Sequence, residues 1–338
     1  MDLTYSFVIP VFNRPNEIRE LLESMSELRF SRPFEVVIVE DGSTLPAREV
    51  VSHFSSRLWI SYLQKSNSGP GSSRNYGMLR AQGNYFLILD SDVILPPDYL
   101  KKVDASLRHE FVDCFGGPDT AHDDFTTVQK AINYTMTSFL TTGGIRGGRR
   151  KVGGFQPRSF NMGLSRAAFE ATGGFGTIHP GEDPDLALRL QEKGFKTVLF
   201  DRAVVYHKRR ITWRSFFSQV EKFGRVRVIL NRWHPTSAKI TFWFPLLFCA
   251  GLIISLIMLF FGIWIPIGLY LCYLLLLFAD CLRTTGDPKV AGCSMAAALI
   301  QFFGYGFGFW RATYYLRILN QDPRRTFPQL FYDSSTKN

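Results

Sequence analysis

Cysteine is scarce in this sequence, and the few cysteines lack the spacing of a metal site. Five occur, and four of them lie in or beside the apolar C-terminal part of the chain. Zinc sites need cysteines and histidines in closely spaced pairs, and disulfide frameworks belong to oxidising compartments. Free cysteines otherwise behave as small hydrophobic residues. We therefore interpret these five as packing residues of a protein in a reducing compartment.

Charge is absent from two long stretches near the C-terminus. Residues 240–261 and 263–279 carry no charged side chain, and each is about as long as a membrane-spanning helix. A third apolar stretch, residues 291–310, contains Gly304, Gly306 and Gly308, which weaken a helix. The sequence predicts a transmembrane hairpin over residues 239–282. For residues 283–338 it predicts a third apolar segment that is interfacial or re-entrant, followed by a cytoplasmic tail.

Acidic residues are nearly missing from the segment that precedes the hairpin. Residues 208–239 contain nine Lys or Arg and one acid, Glu221, together with several aromatic side chains. This pattern is typical of a helix that lies on anionic lipid headgroups, so we predict a basic amphipathic interfacial helix over residues 211–238. A basic patch also suggests nucleic acid, but the neighbouring apolar stretches favour a membrane, and we expect no nucleic-acid partner.

The distribution of charge also predicts a topology. Lys and Arg beside a first span remain on the cytoplasmic side, so we expect a multi-pass protein of the cell membrane with both termini cytoplasmic. The apolar part lacks the charged or broken helix that would indicate a transporter. Residues 1–4 lead directly into an apolar run, and we expect no signal peptide there.

The first two hundred residues alternate between predicted strands and helices. Apolar strands are expected from Tyr5, from Phe34, over residues 58–63 and over residues 85–89, and helices over residues 17–28, with Asn16 as the cap, and from the 67–77 motif to about Gln82. This alternation predicts an α/β fold with a mostly parallel sheet. Ligands of such sheets bind at the carboxyl ends of the strands. Asp41, Asp90 and Asp92 all follow strands, so we expect them in one site.

Asp90 and Asp92 directly follow the apolar strand over residues 85–89. Carboxylate oxygens together with substrate phosphates are the ligands that Mg²⁺ and Mn²⁺ prefer. The pair therefore predicts a divalent metal site, with Mg²⁺ or Mn²⁺ as the cofactor.

Several short motifs occur along the chain in a fixed order. They are Val-Ile-Pro-Val-Phe-Asn (8–13), Glu-Asp-Gly-Ser (40–43), Gly-x-x-Arg-Asn (71–75), Asp-Ser-Asp (90–92), Asn-Met-Gly (161–163), Gly-Gly-Phe (173–175), a Gly-Glu-Asp segment (181–190) and Val-Tyr-His (205–207). In this order and spacing they resemble the inverting family 2 glycosyltransferases over about residues 4–210. The resemblance implies a GT-A fold, a Rossmann-like nucleotide-diphospho-sugar transferase domain, over residues 1–210.

The resemblance also implies roles for individual residues. Pro10 and Asn13 would cradle the nucleoside of a nucleotide-diphosphate sugar, Asp41 would accept a hydrogen bond from its base, and Arg74 would contact the nucleotide. Asp90 would bind ribose or metal. Asp92 would bind the metal, and His207 would be a further metal ligand. His207 follows a strand expected over residues 197–206. Glu40 stands where the family usually has Asp, and Asp41 is unchanged.

The acidic pair Glu182 and Asp183 precedes a helix predicted over residues 184–193. In the family this pair supplies the general base that activates the acceptor hydroxyl, usually through the second acid, so we assign Asp183. A general base needs a pKa tuned to its task. The other interpretation is an acid that caps the helix. Asp185 is the next candidate.

The acceptor is the least determined part of the prediction. Processive synthases of the family carry Gln-x-x-Arg-Trp, whereas Arg232-Trp233 follows Ile229 here, which indicates one sugar per encounter. A site held at the headgroup layer favours a lipid-linked saccharide or polyprenyl phosphate. A soluble glycan or protein acceptor, and a catalytically inactive GT-A scaffold, remain alternatives. The glycine-rich basic loop over residues 143–154 would close over the diphosphate, bind a phosphorylated acceptor, or act as a linker.

Overall fold

The computed structural model describes residues 2–120, 125–143, 155–207 and 212–332, without the side chains of Thr120 and His207. The chain forms two compact units. The first contains Met1–His122, Gly154–Lys208 and Phe331–Asn338, and the second contains Asp123–Gly153 and Arg209–Leu330. Residues 125–143, which were predicted to be part of the GT-A domain over residues 1–210, group with the second unit. Almost all of the glycine-rich basic loop lies outside the described residues.

All described strands belong to the first unit. They are β1 (Tyr5–Val11), β2 (Glu35–Asp41), β3 (Trp59–Lys65), β4 (Tyr85–Leu89), β5 (Val93–Ile94), β6 (Cys114–Gly116), β7 (Asp119–Thr120), β8 (Asn161–Ser165), β9 (Thr197–Leu199) and β10 (Val205–His207). Seven of them form one sheet in the order β3-β2-β1-β4-β8-β6-β9, and the other three form a small sheet in the order β5-β10-β7.

The helices divide between the two units. The first unit contains α1 (Pro15–Ser26), α2 (Arg48–Ser52), α3 (Pro70–Arg80), α4 (Tyr99–His109), α7 (Arg166–Thr172) and α8 (Glu182–Glu192), and the second contains α5 (Thr127–Thr137), α6 (Phe139–Thr142), α9 (Trp213–Trp233), α10 (Phe244–Leu259), α11 (Ile265–Thr285), α12 (Pro288–Thr313) and α13 (Pro323–Thr326). Short 3₁₀ turns cover Pro235–Ser237, Ile240–Trp243 and Pro328–Leu330, and a π turn covers Tyr314–Ile318.

The predicted α/β sheet is confirmed, and it is mostly parallel. β1 lies between β2 and β4 and is parallel to both, whereas β8 runs antiparallel to β4 and β6. Residues of β1 alternate between the faces of the sheet. Phe7 and Ile9 pack in the core on one face, and Val8 packs in the core on the other. Burial on both faces explains why these strands are apolar nearly throughout.

Several element boundaries differ from the predictions. α1 begins at Pro15, a residue suited to a first helical turn, and its N-cap is Arg14, so Asn16 does not cap it. α8 begins at Glu182 rather than at residue 184. The strand predicted over residues 197–206 is two strands, because β9 pairs with β6 in the large sheet and β10 pairs with β5 and β7 in the small one.

Glycines allow α9 and α12 of the second unit to pack closely. A Cβ atom on Gly224 of α9 would overlap the carbonyl oxygen of Tyr305, and one on Gly308 of α12 would overlap that of Glu221. Small residues at a helix interface permit such an approach of two backbones. The expected weakening of the third apolar stretch by its glycines is therefore not observed, and α12 is continuous over 26 residues.

Three helical segments of the second unit are long and apolar enough to cross a membrane, by length and composition. They are Ile240–Leu259, Ile265–Thr285 and Pro288–Ile318. The first two correspond to the predicted hairpin, and a short turn at residues 260–264 joins them. The third extends beyond the predicted 291–310 stretch, so it has the length of a span as well.

Candidate active site

The candidate site lies at the carboxyl ends of β2 and β4 in the first unit. Arg74 on α3 contacts an acid after β4 and an acid at the start of α8. One guanidinium nitrogen, Nη2, donates to Asp90 Oδ1 at 2.7 Å, and Nη1 lies 3.4 Å from Glu182 Oε1. The contact with Glu182 is shielded from water, because the side chains of Arg74 and Glu182 are 4% and 7% exposed, whereas the side chain of Asp90 is 33% exposed. The structure thus brings Arg74 and Asp90 together with Glu182, which lies 108 residues from Arg74 in the sequence.

Asp41 at the end of β2 organises the loop between β3 and α3. Its carboxylate accepts a hydrogen bond from Lys65 Nζ at 2.6 Å and from the backbone N–H groups of Ser68 and Gly69, each at 2.9 Å. Asn67 donates to the Asp41 carbonyl. These hydrogen bonds hold the Asp41 carboxylate in one position before any ligand binds.

The other residues predicted around the nucleoside have structural partners. Asn13 has φ of 55°, a left-handed conformation that asparagine tolerates, and its Oδ1 accepts from the backbone N–H groups of Thr44 and Leu45. Buried Glu40 accepts from Tyr62 Oη and from the Ala47 N–H. Pro10 lies inside β1, opposite Val39 of β2. These contacts fix the loops after β1 and β2.

Asp92 follows β4 and binds an arginine. Arg14 Nη1 lies 2.5 Å from Asp92 Oδ2, with the arginine side chain 45% exposed. The backbone of His207 in β10 is paired with that of Val93 in β5, and Val93 directly follows Asp92 in the sequence. The backbone of the third predicted metal ligand is therefore close to that of the second. Its side chain lies outside the described part of the chain. Within that part, no three His, Cys, Asp or Glu residues form a group that could hold a metal.

Glu182 and Asp183 have opposite electrostatic environments in the first turn of α8. Burial opposes ionisation of Glu182, but the hydrogen bond from His179, at 2.9 Å, and the charges of His179 and Arg74 lower its pKa. For Asp183, burial and the neighbouring Glu182 charge raise the pKa. The Oδ1 atom of Asp183 is buried and accepts no hydrogen bond from the described residues. A carboxylate that has a raised pKa and an oxygen that accepts no hydrogen bond is a candidate proton acceptor.

The alternative base, Asp185, is engaged in a structural ion pair. Its Oδ2 accepts from both Nε and Nη2 of Arg189, at 3.0 and 2.8 Å. Arg189 also donates to the carbonyl groups of Thr172 and Gly174, so it ties α8 to the loop before it. This pairing favours Asp183 over Asp185.

Four residues near the site were not predicted from the sequence. Lys65 holds Asp41, Arg14 binds Asp92, His179 binds Glu182, and Tyr332 packs against Gly69 and His179. His179 lies three residues before Glu182 in the segment that leads into α8, so it is close to the acidic pair in the sequence. The others are brought in by tertiary structure, and no local pattern marks them.

Comparison with known proteins agrees with this architecture. Residues 6–173 match the family described as glycosyl transferase family 2. An uncharacterized glycosyltransferase of Rickettsia felis is 36% identical over 140 residues, which are 41% of this chain and 23% of that protein. The poly(ribitol-phosphate) β-N-acetylglucosaminyltransferase TarS of Staphylococcus aureus is 32% identical over 114 residues, 33% of this chain and 19% of TarS. The matches thus span about a fifth of the length of these relatives.

Solved structures share the fold at low sequence identity. The mannosyltransferase PcManGT of Pyrobaculum calidifontis, determined with GDP-Man and Mn²⁺, aligns with a TM-score of 0.57 and 15% identity over 95% of this chain and 89% of its own. Residues 1–349 of Staphylococcus aureus TarS, determined with UDP-GlcNAc, align with a TM-score of 0.50 and 17% identity over 94% and 93%. These likenesses confirm the predicted GT-A fold. The family match over residues 6–173 identifies the chain as a member of glycosyl transferase family 2.

Proposed function

We propose that this chain is an inverting glycosyltransferase that moves a sugar from a nucleotide-diphosphate donor to a membrane-bound acceptor. The observation that carries the proposal is the cluster at the carboxyl end of β4. There Arg74 joins Asp90 to Glu182, and Asp183 has an unbonded oxygen. Such a cluster combines a cationic group for a phosphorylated donor with a base for the acceptor. An inactive scaffold would have no need for the perturbed carboxylate.

Asp183 is the proposed general base, and Glu182 is its positioning neighbour. Inversion requires one displacement: the acceptor hydroxyl oxygen bonds to the anomeric carbon of the sugar while the bond from that carbon to the diphosphate breaks. The nucleoside diphosphate leaves, and a carboxylate removes the hydroxyl proton. The raised pKa of Asp183 makes it a stronger proton acceptor than an ordinary aspartate. Glu182 stays ionised because its pKa is lowered, and its charge raises the proton affinity of Asp183. Two adjacent acids in different environments can thus perform different tasks.

The donor would bind across the ends of β1, β2 and β4. Asp41, held by Lys65 and two backbone amides, is the proposed contact for the base. Pro10 near the end of β1 and Asn13 in the loop after it would contact the nucleoside. Asp90 would contact the ribose or metal, and Arg74 would face the nucleotide. The loop hydrogen bonds made by Asn13 and Glu40 support this arrangement because they preform the walls before a ligand arrives.

The described carboxylates fit a divalent metal whose coordination would be completed by the phosphates of the donor. Asp90 and Asp92 are hard oxygen ligands at the end of one strand, and Mg²⁺ or Mn²⁺ typically binds one or two carboxylates plus substrate phosphates. His207 is the proposed third protein ligand. When bound, the metal would neutralise charge on the departing diphosphate. Arg14 holds Asp92 in this structure, so its guanidinium supplies a positive charge at the same place.

The proposed acceptor is a lipid-linked saccharide or polyprenyl phosphate, used at the cytoplasmic face of the cell membrane. Three segments with the length and composition of membrane spans support this choice. The basic aromatic helix α9 before them would bind anionic headgroups. Transfer would be non-processive, because the Gln of the processive motif is missing.

A donor screen tests the proposal directly. Membranes that contain the chain are incubated with radiolabelled UDP-, GDP- or dTDP-sugars and Mn²⁺, and lipids are then extracted into organic solvent. We expect label from one donor in the organic phase, and none from membranes with Asp183→Asn. Label confined to the aqueous polymer fraction would indicate the soluble-glycan or protein acceptor. No transfer and no donor hydrolysis with any donor would indicate the inactive scaffold.

A further inference from the structure

The C-terminal end of the described chain lies against the candidate site. Phe331 forms an isolated antiparallel bridge with Ile178, and the N–H of Tyr332 donates to the Thr177 carbonyl at 2.9 Å. Both partners belong to the segment that leads into His179 and α8. The tail therefore has a defined attachment to the loop that carries the proposed catalytic acids.

The Tyr332 ring rests on a glycine of the donor loop. A Cβ atom on Gly69 would overlap the ring atoms Cδ2 and Cγ of Tyr332, so the ring occupies space that any other residue at position 69 would fill. Gly69 also has φ of 87°, a conformation that favours glycine. It is the N-cap of α3, and its N–H donates to Asp41 Oδ2. The ring thus lies beside the residue that fixes Asp41.

The surroundings of Tyr332 connect the two halves of the site. Its ring centroid is 5.7 Å from that of His179, the partner of Glu182. Burial, followed by the negative charges on Asp41 and Glu182, raises the pKa of Tyr332. The side chain is nevertheless 39% exposed, so part of the ring remains open. An exposed aromatic surface between a base-binding carboxylate and a catalytic loop is suited to contact a flat, aromatic ligand group.

We propose that Tyr332 is a donor-binding residue whose ring stacks on the nucleobase and closes the outer side of the nucleotide site. This inference rests on the proposed function and adds to it a residue from the far end of the chain. Stacking recognises the aromatic ring of a base and tolerates different bases. The choice of base would then remain with Asp41, and Tyr332 would increase the affinity for the nucleoside part of the donor.

Equilibrium binding to the full chain in detergent tests this role. Affinities for UDP, GDP, dTDP and pyrophosphate are measured with Mn²⁺ for the wild type, Tyr332→Ala, Tyr332→Phe and, as control, Trp59→Ala. Trp59 is also exposed, at 49%, and begins the edge strand β3. Loss of one base-stacking partner should weaken binding of the preferred nucleoside diphosphate about tenfold. We expect this loss for Tyr332→Ala only, with pyrophosphate affinity unchanged and Tyr332→Phe close to wild type.

The outcomes separate this inference from the proposed function. Unchanged or tighter nucleotide binding by Tyr332→Ala would overturn the stacking role while leaving the transferase proposal in place. An equal loss for pyrophosphate would also overturn it, because the contact would then be to phosphate. Wild-type protein that binds none of the three nucleotides would overturn both proposals together.

Discussion

Arg74 offers the sharpest test of how the site is built, because one buried guanidinium compensates several carboxylates. Its Nη2 is 2.7 Å from Asp90, its Nη1 is 3.4 Å from Glu182, and Asp183 also lies within its electrostatic reach. Substitution by methionine keeps most of the side-chain volume but removes the charge. The acids would then face one another without a counter-charge.

The structure sets the size of the expected effect. Breaking a buried ion pair by removing one partner typically costs about 3–5 kcal/mol. Asp90 is 33% exposed on its side chain and the Glu182 contact is long, so we take the lower end, about 3 kcal/mol. For a unit of this size that corresponds to a decrease of roughly 10 °C in the melting temperature.

The assay is thermal unfolding of the purified chain in detergent, with Arg80→Met as the matched control. Arg80 lies on the same helix, is exposed, and donates to the Tyr76 carbonyl one turn away. Exposed substitutions of this kind usually change stability by about 0.5 kcal/mol or less.

The stability difference between Arg74→Met and wild type should also depend on pH. The lowered pKa of Glu182 means that its ionised form stabilises the fold above the unfolded-state pKa, and that this contribution is lost as pH falls through the lowered value. In Arg74→Met the crowded carboxyls would protonate more easily. The difference in melting temperature between Arg74→Met and wild type should therefore narrow as pH falls from about 4.5 towards about 2, the pKa of Glu182 in the wild-type structure. Equal melting temperatures for Arg74→Met and Arg80→Met at pH 7 would refute the reasoning.

Three further predictions concern pH, metal and topology. The acid limb of the transfer rate should lie above the pKa of about 3.9 of an ordinary aspartate, because the base must be deprotonated and the pKa of Asp183 is raised; a limb at or below that value would contradict the assignment. Asp92→Ala should abolish metal-dependent donor binding, and full wild-type activity in excess EDTA would disprove the metal site. A reporter fused after Asn338 should be cytoplasmic, since five Lys or Arg lie beyond residue 310, where the predicted third apolar stretch ends; an external signal would instead indicate three spans.

Local sequence patterns were sufficient to predict much of the fold. β4 occupies the predicted residues 85–89, because five consecutive apolar residues before two aspartates leave little choice of boundary. Helix starts were less accurate. α8 begins at Glu182 because acids are also favourable in a first helical turn, so they mark the turn as a whole rather than one position in it.

The site residues that could not be predicted from the sequence are brought to the site by tertiary contacts. Lys65, Arg14 and Tyr332 are distant in sequence from the site residues that they contact, and nothing nearby distinguishes them from surface residues. The glycines of the third apolar stretch show the same limit. They lower intrinsic helix propensity, but in the structure Gly304 and Gly308 permit packing against α9, and this tertiary gain outweighs the local loss.

The most direct test of the central claim is the rate of sugar transfer by Asp183→Asn beside donor binding by the same protein. Asparagine keeps the shape of the side chain but cannot accept the proton. Removal of a general base typically costs about 10²–10⁴ in rate. We predict a loss of this size in kcat with donor affinity within a few-fold of wild type, and near wild-type transfer by the Trp59→Ala control. Near wild-type turnover by Asp183→Asn would contradict the account.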